Sequence, residues 1–301
     1  MAQPTPVKTP SSSQIAATYD EAIARVQALQ AQDGANVRPD SRTRLWTHGH
    51  QAERVIVYYH GYTNAPPQFN QLGDELFKRG YNVLVPRLPY HGLLDPLSKE
   101  QGELTAAEMK QMTAETTDLA HGLGKHVTIA GLSGGGVMAA WAAQFRPDVD
   151  LAVVMGPAFG LPFVPAWVSK IFRSWAPHLP DLFIWWDPRV KEKIVGPPHA
   201  YPRFCTHGLA EIFRFGKEVQ DASKQTAPAA KRIQMITSAF DTAIHLPTAH
   251  KVAERWKAQG ANVTTYEFPK EMKIWHDMID PAQSTQQIDK VYPIVLDMIT
   301  K

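Results

Sequence analysis

The chain has 301 residues, enough for one large domain or two small ones with a substantial buried core. Apolar residues make up 44% and charged residues 20%, the balance of an ordinary soluble globular protein, which excludes a disordered, collagen-like or coiled-coil chain. With 31 basic against 29 acidic side chains there is no electrostatic footprint for nucleic acid, and the single cysteine, Cys205, excludes an internal disulfide and any multi-thiolate metal site.

The chain opens on a Pro/Ser-rich stretch with no hydrophobic core and no signal-peptide pattern. The expected location is therefore the cytoplasm, the alternative being an exported protein whose signal segment is absent from this chain. Residues 13–32 carry Ile15, Tyr19, Ile23, Val26 and Leu29 on a helical period, ended by Gly34, so residues 1–41 read as a linker and a helix outside the main domain. Strands and helices then alternate. Short apolar runs at 54–59, 82–86, 126–130, 151–155, 233–237 and 263–268 read as strands, with 42–47 as an antiparallel edge. Helical stretches at 67–79, 105–121, 134–145, 247–259 and 282–299 lie among them. Several of the strands are near-continuously apolar, as strands covered by helices on both faces are. The pattern predicts an α/β fold with a mainly parallel twisted sheet, built from residues 42–156 and 227–301.

One interval breaks the rhythm. Residues 157–202 hold nine of the 24 prolines and four of the eight tryptophans, Trp167, Trp175, Trp185 and Trp186. A solvent-facing linker would not hold so many large aromatics, so residues 157–226 read as an inserted helical cap. The 19-residue uncharged run at 151–169 is broken by Pro157, Pro162 and Pro165, which argues against an integral membrane segment.

The most informative segment is H-V-T-I-A-G-L-S-G-G-G-V-M-A-A-W, a strand running into Gly131-Leu132-Ser133-Gly134-Gly135 and then an Ala-rich helix. This is G-x-S-x-G in its strand–turn–helix setting, where a serine hydroxyl stands on a sharp turn above the sheet. A dinucleotide-binding turn would want glycine at Ser133 and an acid after Met155, where Gly156 stands. Acyl transfer also needs N–H donors waiting for the developing oxyanion. Gly134 supplies one, and His60-Gly61-Tyr62-Thr63, directly after an apolar strand, supplies the other through the N–H of Tyr62.

H-G-Y-T, P-R-L-P-Y-H-G at 86–92 and G-L-S-G-G together resemble the serine α/β-hydrolases, with the carboxylesterases and monoacylglycerol lipases as the nearest relatives. The resemblance covers roughly residues 42–300. It implies an α/β-hydrolase fold with an eight-stranded sheet, an inserted helical cap, and a nucleophile–acid–histidine triad in that chain order. Gly134 departs from the pattern, since relatives often carry methionine or glutamine there; the N–H donor stays and a wall of the acyl pocket is lost.

On that order the acid is Asp241, just past the strand at 233–237, with Asp277 and Glu267 as weaker candidates. Twelve histidines compete for the base. His199 and His207 precede Asp241, His245 follows it by only four residues, and His250 falls in a helix. His276, in the loop after the last strand, stands where the family's histidine lies. His48-Gly49-His50 suggests a metal pair, but no carboxylate stands at ligand spacing and no H-E-x-x-H is present, so no metal is expected.

The resulting expectation is a hydrolase of small carboxylic esters with uncharged, short-to-medium acyl or alcohol groups, working through an acyl-enzyme and without a cofactor. Its residues are Ser133, Asp241 and His276, the N–H groups of Tyr62 and Gly134, and a substrate pocket roofed by Trp167, Trp185 and Trp186. A C–C bond hydrolase or peptidase on the same triad, or a ligand-binding receptor with a vestigial one, is the alternative. The oligomeric state is left open.

Overall fold

The structure, a computed structural model, describes residues 14–190 and 196–301. Its strands are β1 (Arg44–Trp46), β2 (Ala52–Tyr59), β3 (Tyr81–Val85), β4 (Gly124–Leu132), β5 (Leu151–Met155), β6 (Phe183–Trp185), β7 (Arg203–Cys205), β8 (Ile233–Ser238) and β9 (Val263–Phe268). Seven of them form one sheet in the order β1-β3-β2-β4-β5-β8-β9, parallel except for the antiparallel edge strand β1. The eight strands implied by the resemblance are therefore seven among the described residues. The segment leading into β1 forms helix α1 (Tyr19–Ala31) and a 3-10 turn at Pro39–Ser41 in place of a first strand.

The strand period of two divides the core. Val55, Val57 and Tyr59 of β2 face one layer, and Ile56 and Tyr58 face the other. The first layer is covered by α3 (Ala106–Leu123), α4 (Gly134–Phe145), α6 (Thr206–Ala222) and α7 (Leu246–Ala258). The second is covered by α2 (Asn70–Lys78) and α8 (Ile288–Thr300). Helix α1 lies on α3, where Gly122 permits the approach: a Cβ there would stand 2.4 Å from the Thr18 carbonyl oxygen.

Several element ends differ from the periodicity. Helix α1 starts at Tyr19 because Thr18 caps it, its Oγ1 accepting from the Glu21 N–H at 3.2 Å; residue 13 lies outside the described residues. The stretch at 67–79 is a 3-10 turn, Pro66–Phe69, followed by α2. Residues 282–287 are turns rather than helix, where the Asp280 carboxylate takes the Ala282 N–H, and α8 begins at Ile288.

Between β5 and β8 the chain leaves the sheet. This interval is not purely helical: β6 and β7 pair antiparallel, between α5 (Ala166–Trp175) and α6. Helix α6 packs on α4, with Phe215 and Val219 fully buried in the first core layer. No described helix is long and apolar enough to cross a membrane.

After β2 the chain crosses to β3 on one side, and after β4 it crosses to β5 on the other. Such a divergence opens a crevice at the carboxyl ends of the strands, the usual ligand position in an open α/β sheet. Tyr59 pairs with Gly131 across β2 and β4, so the loops after these two strands meet there.

Candidate active site

Ser133 follows β4 with φ 60° and ψ −116°, a conformation L-residues seldom adopt, at the N-terminus of α4. The neighbouring glycines show what holds it. A Cβ on Gly131 would stand 2.1 Å from the Gly135 carbonyl oxygen, and one on Gly135 would stand 1.9 Å from that of Tyr59. Only bare backbone lets strand, turn and helix close this tightly. The Ser133 N–H donates to Met155 O at 3.0 Å, and its carbonyl accepts from the N–H groups of Val137 and Ala158.

The loop after β2 is equally determined. His60 is fully buried, and desolvation drives its pKa well below the ordinary value, so the ring is neutral. Its Nδ1–H donates to Gly61 O at 2.9 Å, and its Nε2 accepts the Leu88 N–H at 3.1 Å, the tautomer following from these partners. His60 thus ties this loop to the P-R-L-P loop. Among the described residues no protein acceptor takes up the N–H of Tyr62 or of Gly134. The two sites adjoin, since a Cβ on Gly134 would stand 3.3 Å from Tyr62 N. The Tyr62 hydroxyl is anchored on Cys205 Sγ at 2.9 Å.

Asp241 lies just past β8, buried, with Oδ1 accepting the Ala243 N–H at 2.8 Å and Oδ2 2.6 Å from His276 Nδ1. Burial lowers the His276 pKa, but the Asp241 charge and hydrogen bond outweigh it, with Asp277 adding to them, and lift the pKa to about 9. The competing histidines are engaged elsewhere: His245 with Thr248 Oγ1, His250 with Glu267, His207 with Leu179 O and His199 with Asp280. Glu267, on β9, accepts from Thr237 Oγ1 of β8 and pairs with His250 of α7, away from this cluster. His48 stacks on Phe77, and no group of three or more His, Cys, Asp or Glu among the described residues could hold a metal ion.

Ser133 and His276 open onto one cavity of about 680 Å³, with Tyr62 in its wall. Trp185 and Trp186 line it, and Trp186 Nε1 donates to Thr63 Oγ1 at 3.0 Å, fastening the roof to the loop after β2. Trp167 does not line it. It stands 62% exposed on α5, because the inward positions of that helix are Ser169 and Phe172, the latter against Phe213 of α6.

Leu209, Ile212 and Phe213, which α6 presents to the cavity, lie outside what composition alone indicates. Their i, i+3, i+4 spacing was the available signal. Gln68, buried beneath the site, is likewise unmarked in the sequence: Oε1 accepts the Gly61 N–H at 2.9 Å, and Nε2 donates to Asp277 Oδ1 at 2.9 Å. One side chain thereby joins the loop after β2 to the loop that carries His276.

A serine on a strained strand–helix turn, beside a carboxylate–imidazole pair at the carboxyl edge of a parallel sheet, defines an α/β-hydrolase. The family described as serine aminopeptidase, S33, matches residues 50–279, and the chain belongs to that family. Solved structures with the same fold include a lipolytic enzyme from the metagenome-derived LipS and LipT pair, at 18% identity and TM-score 0.65, covering 88% of this chain and 99% of that one. The monoacylglycerol lipase of Paleococcus ferrophilus matches at 14% identity and TM-score 0.63, over 85% and 96% of the two chains. The monoglyceride lipase of Saccharomyces cerevisiae matches at 14% identity and TM-score 0.64, over 86% and 89%. No curated protein sequence matches the chain.

Proposed function

We propose that the protein is a serine esterase that cleaves carboxylic esters with uncharged, short-to-medium acyl or alcohol groups. The observation that carries the reading is the convergence of Ser133, on its strained turn, and His276, held by Asp241 at 2.6 Å, on one cavity. With Nδ1 engaged by Asp241, Nε2 of His276 is the nitrogen left to take the Ser133 proton. Ser133 Oγ then adds to the ester carbonyl carbon, and the N–H groups of Tyr62 and Gly134 hold the oxyanion. Collapse expels the alcohol with the proton from His276. Water, deprotonated by the same nitrogen, adds to the acyl-enzyme and releases the acid and Ser133. Residues 157–226 serve as the cap, with Trp185, Trp186, Ile212 and Phe213 as apolar walls.

The family description raises an aminopeptidase as the second reading. Such an enzyme must present a carboxylate to the substrate's ammonium group. The carboxylates lining the cavity among the described residues are engaged: Asp187 pairs with Arg189 at 2.8 Å, and Asp277 takes hydrogen bonds from Gln68 and Gln283. Burial further raises the Asp277 pKa, which weakens it as an anion. The ester reading follows. A fluorophosphonate probe should label Ser133 by peptide mapping, and p-nitrophenyl butyrate should turn over far faster than aminoacyl p-nitroanilides. Labelling of another serine overturns the nucleophile, and preference for the anilides overturns the substrate class.

A further inference from the structure

Gly134 leaves the first position of α4 without the side chain that relatives often carry there, and Ile212 of α6 occupies the space. A Cβ on Gly134 would stand 3.3 Å from Tyr62 N, 3.4 Å from Tyr62 Cβ and 3.4 Å from Ile212 Cδ1. One carbon already makes contact on two sides, so a longer side chain has no room while Ile212 stands there. Ile212 is 1% exposed and lines the same cavity as Ser133 and His276. The wall that α4 lacks is thus rebuilt from the segment between β5 and β8.

The packing of α6 fixes that methyl. In its first turn the Gly208 N–H donates to Cys205 Sγ at 3.3 Å, and the same sulfur meets the Tyr62 hydroxyl at 2.9 Å. A Cβ on Gly208 would stand 2.4 Å from the Tyr62 hydroxyl oxygen, so only glycine lets this turn rest on Tyr62. Ile212 follows at i+4 and therefore shares that face, which sets it over Gly134. Further along, Phe215 and Val219 are buried in the core, and Phe213 is braced by Phe172 of α5. Helix α6 thereby presses on both residues whose N–H groups hold the oxyanion in the mechanism above.

The position of the methyl decides what it senses. A carbonyl oxygen bound by the Tyr62 N–H lies about 2.7–3.1 Å from that nitrogen. Ile212 Cδ1 and Tyr62 N flank one point at 3.4 Å and 3.3 Å, so the methyl borders the carbonyl group rather than the far end of a chain.

We propose that Ile212 is the specificity-determining residue for branching beside the scissile carbonyl, standing in for the side chain absent at Gly134. The substrates are then esters of straight-chain acids, and acids branched at the carbon next to the carbonyl are excluded. The proposal rests on the ester reading, and its test separates the two.

The test compares kcat/KM on p-nitrophenyl butyrate, isobutyrate and pivalate, with hexanoate and octanoate as the straight-chain series. The wild-type protein should prefer butyrate to isobutyrate by about tenfold or more, the discrimination one extra carbon gives in a closed apolar pocket. Ile212→Val removes only Cδ1 and should narrow that ratio by roughly tenfold, while the order along the straight-chain series stays the same. Ile212→Ala should narrow it further and admit pivalate. Gly134→Met keeps the N–H donor but forces its side chain onto Ile212, and should lose about a hundredfold on butyrate as the donors are displaced. Gly134→Met/Ile212→Ala should regain at least about tenfold over Gly134→Met, and in urea unfolding the double variant should lose less than the two single losses together, the sign of one shared space. A wild-type protein inactive on every ester overturns the ester reading and this proposal with it. Activity on butyrate with an isobutyrate ratio unchanged in both Ile212 variants overturns the proposal alone. So does a Gly134→Met variant as active as wild type, or a double variant whose losses simply add.

Discussion

Gly135→Ala offers the most direct test of how backbone packing builds the site. The added methyl would stand 1.9 Å from the Tyr59 carbonyl oxygen, 2.5 Å from its carbon and 2.7 Å from the His60 oxygen. Ordinary contact begins near 3.4 Å, so α4 and the end of β2 must separate by about 1.5 Å. Neither side can yield cheaply. Tyr59 is paired with Gly131 in the sheet, and Gly135 lies in the first turn of a helix buried almost throughout. Overpacking of this kind costs about 1–3 kcal/mol, and an obstacle made of backbone puts the cost at the upper end or beyond. The same movement carries the Tyr62 N–H away from Ser133, and misplacement by about 1 Å costs roughly a hundredfold in rate. Urea unfolding monitored by tryptophan emission and kcat/KM on p-nitrophenyl butyrate measure the two losses. Gly80→Ala is the control: its φ is +85° and nothing lies within 4 Å of the new Cβ, so only backbone strain of about 1–2 kcal/mol applies. Gly80 also precedes β3, at the opposite end of the strands from the crevice, so turnover should hold. A Gly135→Ala variant with unchanged kcat/KM would refute the argument, whatever its stability.

Because a proton on His276 blocks its role as base, kcat/KM should climb with pH through about 9 in the wild type. Asp241→Asn should cut kcat by about four orders of magnitude and move that acid limb toward or below 6.5, as desolvation then acts without the opposing carboxylate. The raised pKa also makes the Asp241–His276 pair a stabilising contact that is fully present below pH 6.5 and lost as pH rises through 9, visible as a falling urea midpoint. Gln68→Met, close in shape but without the amide, should strand the buried Gly61 N–H and leave Asp277 with Gln283 alone, costing about 1–3 kcal/mol in urea unfolding. Trp186→Ala should shift acyl-chain preference along a p-nitrophenyl ester series, whereas Trp167→Ala, off the cavity, should leave the series unchanged.

The turn around Ser133 was legible in sequence because its demands are local: consecutive residues must close a strand onto a helix, and Gly131 and Gly135 are the only side chains small enough to permit it. Strands β2 through β5 were legible for a related reason, since burial on both faces leaves a nearly continuous apolar run, interrupted by Asn82 in β3 and Thr128 in β4. Asp241 and His276 were less so. Their positions after strands narrowed the choice and the resemblance pointed to His276 among twelve histidines, but the pairing at 2.6 Å from Asp241 is a property of the fold. The link from Gly61 through Gln68 to Asp277 left no trace in sequence, because it joins positions more than 200 residues apart through one amide. The tryptophans between β5 and β8 mark the limit most clearly. Composition shows that residues 157–202 are too aromatic for a linker, yet identical indoles meet opposite fates: Trp185 and Trp186 wall the cavity, while Trp167 and Trp175 face outward. Periodicity tells which side chains share a face, but which face is covered depends on the partner that packs there. For α5 that partner is α6, more than thirty residues further along the chain, and only tertiary contact sets Phe172 on Phe213 and leaves Trp167, Ile171 and Trp175 to the outside.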